Sequence, residues 1–249
     1  MGKAADTKAP SIGRPWRRAT GWLVALTVFF YLTYGVSNWL ASQRGDVPAI
    51  VFDWEHGIPF LTWTIIPYLG THVFFALSFY VCRNRAELDS HARRLLTAQM
   101  VAVACFIVFP LRLTFSRPQT LGEFGPLFDV LHVFDMPFNQ APSLHIATTT
   151  ILFDLYSRVL PRWALPVTAM AALLVGASVL TTYQHHFIDV PTGFLLGLLC
   201  VWVWPPEGGN RLASPFRVRL GAFPSERSLI DWPAWARPRK PKRDSSAPR

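Results

Sequence analysis

Long apolar blocks separated by short polar connections dominate the chain. Stretches at roughly 20–41, 59–82, 96–115, 142–160, 163–182 and 187–204 each approach the ~20 mostly apolar residues that an α-helix needs to cross a bilayer. Trp39 and Leu40 continue the first run where a small-residue cleavage site would have to fall, so it reads as a retained helix rather than a signal peptide. Six crossings leave both termini on one side. The pattern predicts an all-α integral membrane bundle of six transmembrane helices over 20–204. A basic arm precedes it at 1–19, and a polar, Pro-broken tail follows at 205–249, too poor in apolar residues to bury a core of its own.

Composition strengthens this reading. Hydrophobic residues make up 51% of the chain and charged residues only 16%, with a mean hydropathy of +0.26, which is too apolar for a soluble domain. Lys and Arg number 24 against 15 acids, giving a net charge of +9. These cations sit between apolar blocks rather than on a polar domain, which points to a membrane surface and away from nucleic acid. Three isolated cysteines, Cys82, Cys105 and Cys200, offer neither a disulfide framework nor a thiolate metal site.

The distribution of the cations orients the bundle. All but Arg44, Arg112 and Arg117 fall in the N-terminal arm, in the connections after the second and fourth stretches, or in the tail. By the positive-inside rule that face is cytoplasmic, with both termini there and the other face outside the inner membrane. Trp232 and Trp235 could seat the tail among lipid headgroups.

Three segments carry polar groups at span ends on the outer face: FPLRLTFSRP (109–118), FNQAPSLH (138–145) and TTYQHHFID (181–189). In the last, His185 and Asp189 are four apart and share a helix face, so the carboxylate can take one ring N–H and leave the other nitrogen as a nucleophile. His186, one residue on and about 100° round a helix, falls outside that pair. In PSLH, Pro142 suits a first helical turn and Ser143 a cap. The N–H groups at such a terminus attract anions, and His145 lies near enough to protonate a leaving alkoxide. Arg112 and Arg117 stand on the outer face against the charge trend, and their guanidinium groups match phosphate oxygens. No segment has metal-ligand spacing apart from the His pair, so no metal or cofactor is expected.

At these residues the chain resembles the type 2 phosphatidic acid phosphatase superfamily of six-helix membrane phosphatases and phosphotransferases. PSLH matches the family's PSGH with Leu144 for Gly, His185 and Asp189 match the core of the third motif, and Arg117-Pro118 matches the end of the first. The resemblance implies that His185 is the nucleophile, Asp189 its orienter and His145 the general acid, with Ser143, Arg112 and Arg117 holding the phosphoryl oxygens. Two positions depart from the pattern: Pro110 stands where the family has Lys, and Val179 where it has the third motif's Arg. Lacking that Arg, TTYQHHFIDVPTG looks more like the branch containing inositol phosphorylceramide synthases. The expected activity is metal-independent cleavage of a lipid phosphate ester through a phosphohistidine. Transfer of a phospho-headgroup to an alcohol or ceramide-like acceptor is the alternative, and a non-catalytic transporter or scaffold a third.

Overall fold

A computed structural model describes residues 15–116, 118, 122–134 and 137–205; Arg117, the first fourteen residues and the tail lie outside them. The described residues form seven α-helices: α1 (Trp16–Ser42), α2 (Ile65–Val81), α3 (Arg85–Val108), α4 (Gly125–Phe134), α5 (Leu144–Val159), α6 (Leu165–Thr181) and α7 (Asp189–Val203). Each of the six apolar stretches coincides with one of them, and α4 is additional. Four segments, Trp16–Ser42, Thr62–Val81, Arg85–Val108 and Arg162–Thr181, are long and apolar enough to cross a membrane. The helices in the fourth and sixth stretches are shorter, 16 residues in α5 and 15 in α7.

Helix α3 departs most from the expected boundaries. It begins at Arg85 rather than near 96, because Asn84 caps it by accepting the Glu87 N–H at 2.9 Å. The polar run RAELDSHARR, expected as a cytoplasmic loop, is therefore helical, and most of its charges are paired. Arg94 and Asp154 of α5 are both wholly buried, with Nη1 and Oδ2 2.6 Å apart. Arg158 bridges the same Asp154 oxygen at 3.1 Å and Glu87 at 2.9 Å, so two cations meet two anions in the packed interior. At its other end α3 stops before Pro110, whose ring disfavours helix in the preceding residue. Residues 109–116 then run as an extended strap.

Helices α5 and α7 lie in close backbone contact. A Cβ on Gly197 would stand 2.6 Å from Thr150 Cβ and 2.8 Å from the Ala147 carbonyl, and one on Gly193 would overlap the Ser143 carbonyl. Glycines four apart remove side-chain bulk from one face of α7 and let the two backbones meet, as small residues do where helices pack without a hydrophobic driving force. The core around this contact is small or branched: Ala92, Ala98, Ala147, Ile151, Leu155 and Leu196. Although Phe79 and Phe106 are buried in the same core, many large apolar side chains face outward, including Val167, Leu173 and Trp202, the last two 69% and 73% exposed. That inverted exterior suits contact with lipid.

Contacts sort the helix ends into two groups. Arg18 pairs with Asp89 at 2.7 Å, Arg83 donates to the Arg158 and Val159 carbonyls, and Arg94 Nε donates to the Trp204 carbonyl at 2.8 Å. These gather the start of α1, the α2–α3 connection and the ends of α5 and α7. The opposite end holds the strap, the start of α5, the turn between α6 and α7, and the connection between α1 and α2, which includes the short 3-10 segment Asp53–Gly57.

Candidate active site

The turn at 181–188 is built by the end of α6. Helix α6 closes with two bonds, Gln184 N–H to the Val179 carbonyl at 3.1 Å and Tyr183 N–H to the Leu180 carbonyl at 3.1 Å, around Tyr183 in the left-handed region at φ 53°. This is the Schellman arrangement, which favours glycine at the residue Tyr183 occupies. Holding a non-glycine residue there costs on the order of 1–3 kcal/mol. The Tyr183 ring offsets this by stacking on Phe115 at 4.8 Å, while its hydroxyl donates to the Ile58 carbonyl at 2.8 Å. The wholly buried Val179 also accepts the His185 N–H, at 3.0 Å. Its carbonyl thus sets the start of the catalytic candidate segment, although its side chain replaces a family cation.

From that turn His185 reaches two partners. Nδ1 lies 3.1 Å from Asp189 Oδ2, and Nε2 lies 3.1 Å from Ser143 Oγ. The carboxylate accepts from Nδ1–H, which leaves the lone pair on Nε2, and the Ser143 hydroxyl donates to it. The same Asp189 oxygen accepts the His186 N–H at 3.0 Å. Asp189 opens α7, where the helix dipole favours an anion. Ser143 caps α5 as expected, with Oγ accepting the Ile146 N–H. Pro142 lies one residue outside the cap rather than in the first turn. The Ser143 N–H donates to the Asp189 carbonyl at 3.1 Å, joining the two helix starts directly.

His145 is one step removed. Its Nε2 donates to the Tyr68 carbonyl at 3.2 Å, and its ring stacks on the Tyr68 ring at 4.1 Å with the planes 13° apart. The His72 ring meets it edge-on at 5.3 Å. His145, His72 and His185 all line one cavity of about 560 Å³. Arg112 lies on the strap, its backbone N–H bonded to the Pro48 carbonyl and its side chain exposed. Arg117 lies outside the described residues. Among the described residues, no Lys or Arg side chain hydrogen-bonds to Ser143, His145, His185 or Asp189.

Sequence spacing misses a second carboxylate–imidazole couple. Glu55, wholly buried, accepts from His186 Nδ1–H at 3.1 Å and from the Phe187 N–H at 2.9 Å through one oxygen, and from the Phe52 N–H at 2.9 Å through the other. His186 Nε2 in turn accepts the Thr114 N–H at 3.1 Å. His186 therefore ties the strap, the α1–α2 connection and the His185 turn together. Its placement off the His185–Asp189 face is right for a helix, but this segment is a turn, and the ring points into a buried junction. The available signal was Glu55 itself, an acid beside His56 on the outer connection.

Residues 92–209 match the sequence profile of the PAP2 superfamily, a span of just under half the chain that contains Ser143, His145, His185 and Asp189. No curated protein matches the chain. The match indicates phosphatase- or phosphotransferase-type chemistry, the superfamily acting on phosphate-ester lipids, and the long apolar helices agree with it.

Proposed function

We propose that this chain is a membrane-embedded, metal-independent lipid phosphatase in which His185 Nε2 attacks phosphorus and forms a phosphohistidine. One observation carries the reading: His185 is held between Asp189 and Ser143, with the carboxylate on Nδ1 and the cap of α5 at Nε2. The Nε2 lone pair then faces the helix terminus where phosphoryl oxygens would be received. Asp189 fixes the tautomer and stabilises the cationic ring as the N–P bond forms. His145 protonates the leaving alkoxide and then takes a proton from the incoming water. Ser143, the α5 N–H groups, Arg112 and Arg117 carry the oxygens, supplying positive potential from the protein itself. Both termini face the cytoplasm, the site faces outward, and the chain divides into the arm, the bundle and the tail.

Phosphotransfer, in the manner of the inositol phosphorylceramide synthase-like branch, is the second reading, favoured by Val179 in place of the family's Arg. The experiment is single-turnover labelling of the purified protein with a phosphorus-labelled lipid phosphate in excess EDTA. An acid-labile, base-stable phosphoenzyme absent from His185→Ala is the expected result. Activity that vanishes with chelator and returns with added metal would sink the mechanism.

A further inference from the structure

The cavity that holds the three imidazoles extends well beyond them. It is lined by Tyr31 and Tyr34 of α1 and Tyr68 of α2 near the site, and by Leu23, Ala76 and Leu95 at its far end. From Tyr34 to Leu23 is eleven residues and from Tyr68 to Ala76 is eight, so at 1.5 Å per residue the cavity runs roughly 12–16 Å along the bundle. Its walls are mostly apolar, and at about 560 Å³ it falls within the range of sites that enclose a small ligand.

Besides Thr27 and Gln99 farther along, it carries His72 and Asn139, whose acceptor atoms are set by their other hydrogen bonds. His72 Nδ1 donates to the Leu69 carbonyl at 3.2 Å, so in the neutral ring Nε2 is an acceptor. Asn139 Nδ2 donates to the Tyr34 carbonyl at 3.0 Å, which fixes the amide orientation. Its Oδ1, also buried, has no hydrogen-bond partner among the described residues. A carboxylate or phosphate would be repelled by such acceptors, whereas a hydroxyl would satisfy one of them. An ionisable ring on an apolar helix such as α2 is also costly unless it serves a site.

We propose, resting on the phosphohistidine reading above, that this cavity is the subsite for the alcohol half of the ester: a hydrocarbon alcohol. Its hydroxyl sits at His72 and Asn139 beside His145, and its chain runs toward Leu23 and Ala76. The carbon skeleton advances roughly 1.25 Å per atom for bonds of about 1.5 Å at near-tetrahedral angles, so the depth accommodates about ten to thirteen carbons. In the cleavage direction the cavity holds the leaving alcohol. In the reverse sense an alcohol bound there attacks phosphorus: the O–P bond forms, the N–P bond to His185 breaks, the hydroxyl proton passes to His145, and the Nε2 lone pair is restored.

The test uses the full-length protein in lipid nanodiscs, phosphorylated by p-nitrophenyl phosphate, with straight-chain primary alcohols from butanol to hexadecanol as acceptors. The readout is alkyl phosphate formed relative to inorganic phosphate. At fixed aqueous concentration this ratio should rise by up to about fourfold per carbon while methylenes are still being buried, then level off near the cavity's depth. Ala76→Phe should move the plateau to shorter chains and Leu23→Ala to longer ones. His72→Ala should lower the ratio at every length. A phosphoenzyme that forms normally with a chain-length profile unmoved in both Ala76→Phe and Leu23→Ala overturns the subsite. If wild-type protein forms no phosphoenzyme, it is the phosphohistidine reading that falls.

Discussion

His185 and His186 are neighbours in sequence with opposite surroundings. His185 faces Ser143 and the cavity, whereas His186 is locked between Glu55 and the Thr114 N–H. Loss of His185 should remove phosphoenzyme and turnover together. His186→Ala should still form phosphoenzyme, but slowly, since the turn and the strap lose a shared anchor; stopped-flow quench of both variants would separate the two. Truncating Glu55 strands three donors in a buried junction, and each unsatisfied group costs about 1–3 kcal/mol. Glu55→Ala should therefore lower both thermal stability and kcat, while Glu55→Gln, which still accepts at one oxygen, should recover part of each. For His145→Ala we expect a loss of about 10²–10⁴-fold with an alkyl phosphate and a much smaller one with p-nitrophenyl phosphate, because a good leaving group needs little acid help. Equal losses with both substrates would remove His145 from that role.

At the level of elements, the site depends on two helix starts being pressed together. Ser143 and Asp189 open α5 and α7, and the backbone bond between them exists only because Gly193 and Gly197 allow the helices to touch. Gly197→Leu should force the pair apart and abolish activity even though it lies about two turns along α7 from Asp189. Overpacking of this kind typically costs 1–3 kcal/mol, so the protein should still fold with a lowered melting temperature. A Gly197→Leu protein with wild-type turnover would show that α7 does not position the pair. The end of α6 has a similar role through a different device: Tyr183 holds a left-handed turn by its ring and hydroxyl contacts, and the Val179 carbonyl receives the His185 N–H.

Across the whole molecule, charge is separated from chemistry. The end opposite the site contains the buried Arg94–Asp154–Arg158–Glu87 network. Removing one member leaves an uncompensated buried charge, at about 3–5 kcal/mol, so Asp154→Ala should destabilise strongly. Replacing Arg94, Arg158, Asp154 and Glu87 together by apolar residues of similar size should recover much of that loss in thermal unfolding. Topology is tested by labelling intact cells with an impermeant thiol reagent after the three native cysteines are replaced. A cysteine at the exposed Glu123 should react and one at Ser246 should not; the reverse pattern would turn the site to the cytoplasm.

Helix positions were legible in the sequence because burial in lipid imposes a one-dimensional rule: a run of apolar residues either is long enough or is not. All six stretches became helices, and Ser143, His185 and Asp189, read from two short segments, lie in contact. Where polar residues were concerned, the same rule misled. The run from Arg85 to Arg94 looked like a loop because nothing in it reveals that its charges meet partners on α5, some sixty residues later. Glu55 and His186 were passed over for the same reason, being joined across more than a hundred residues. Hydrophobicity is a property of a residue and can be read in place, whereas the satisfaction of a buried polar group is a property of a pair. Only the tertiary structure brings the members of a pair together.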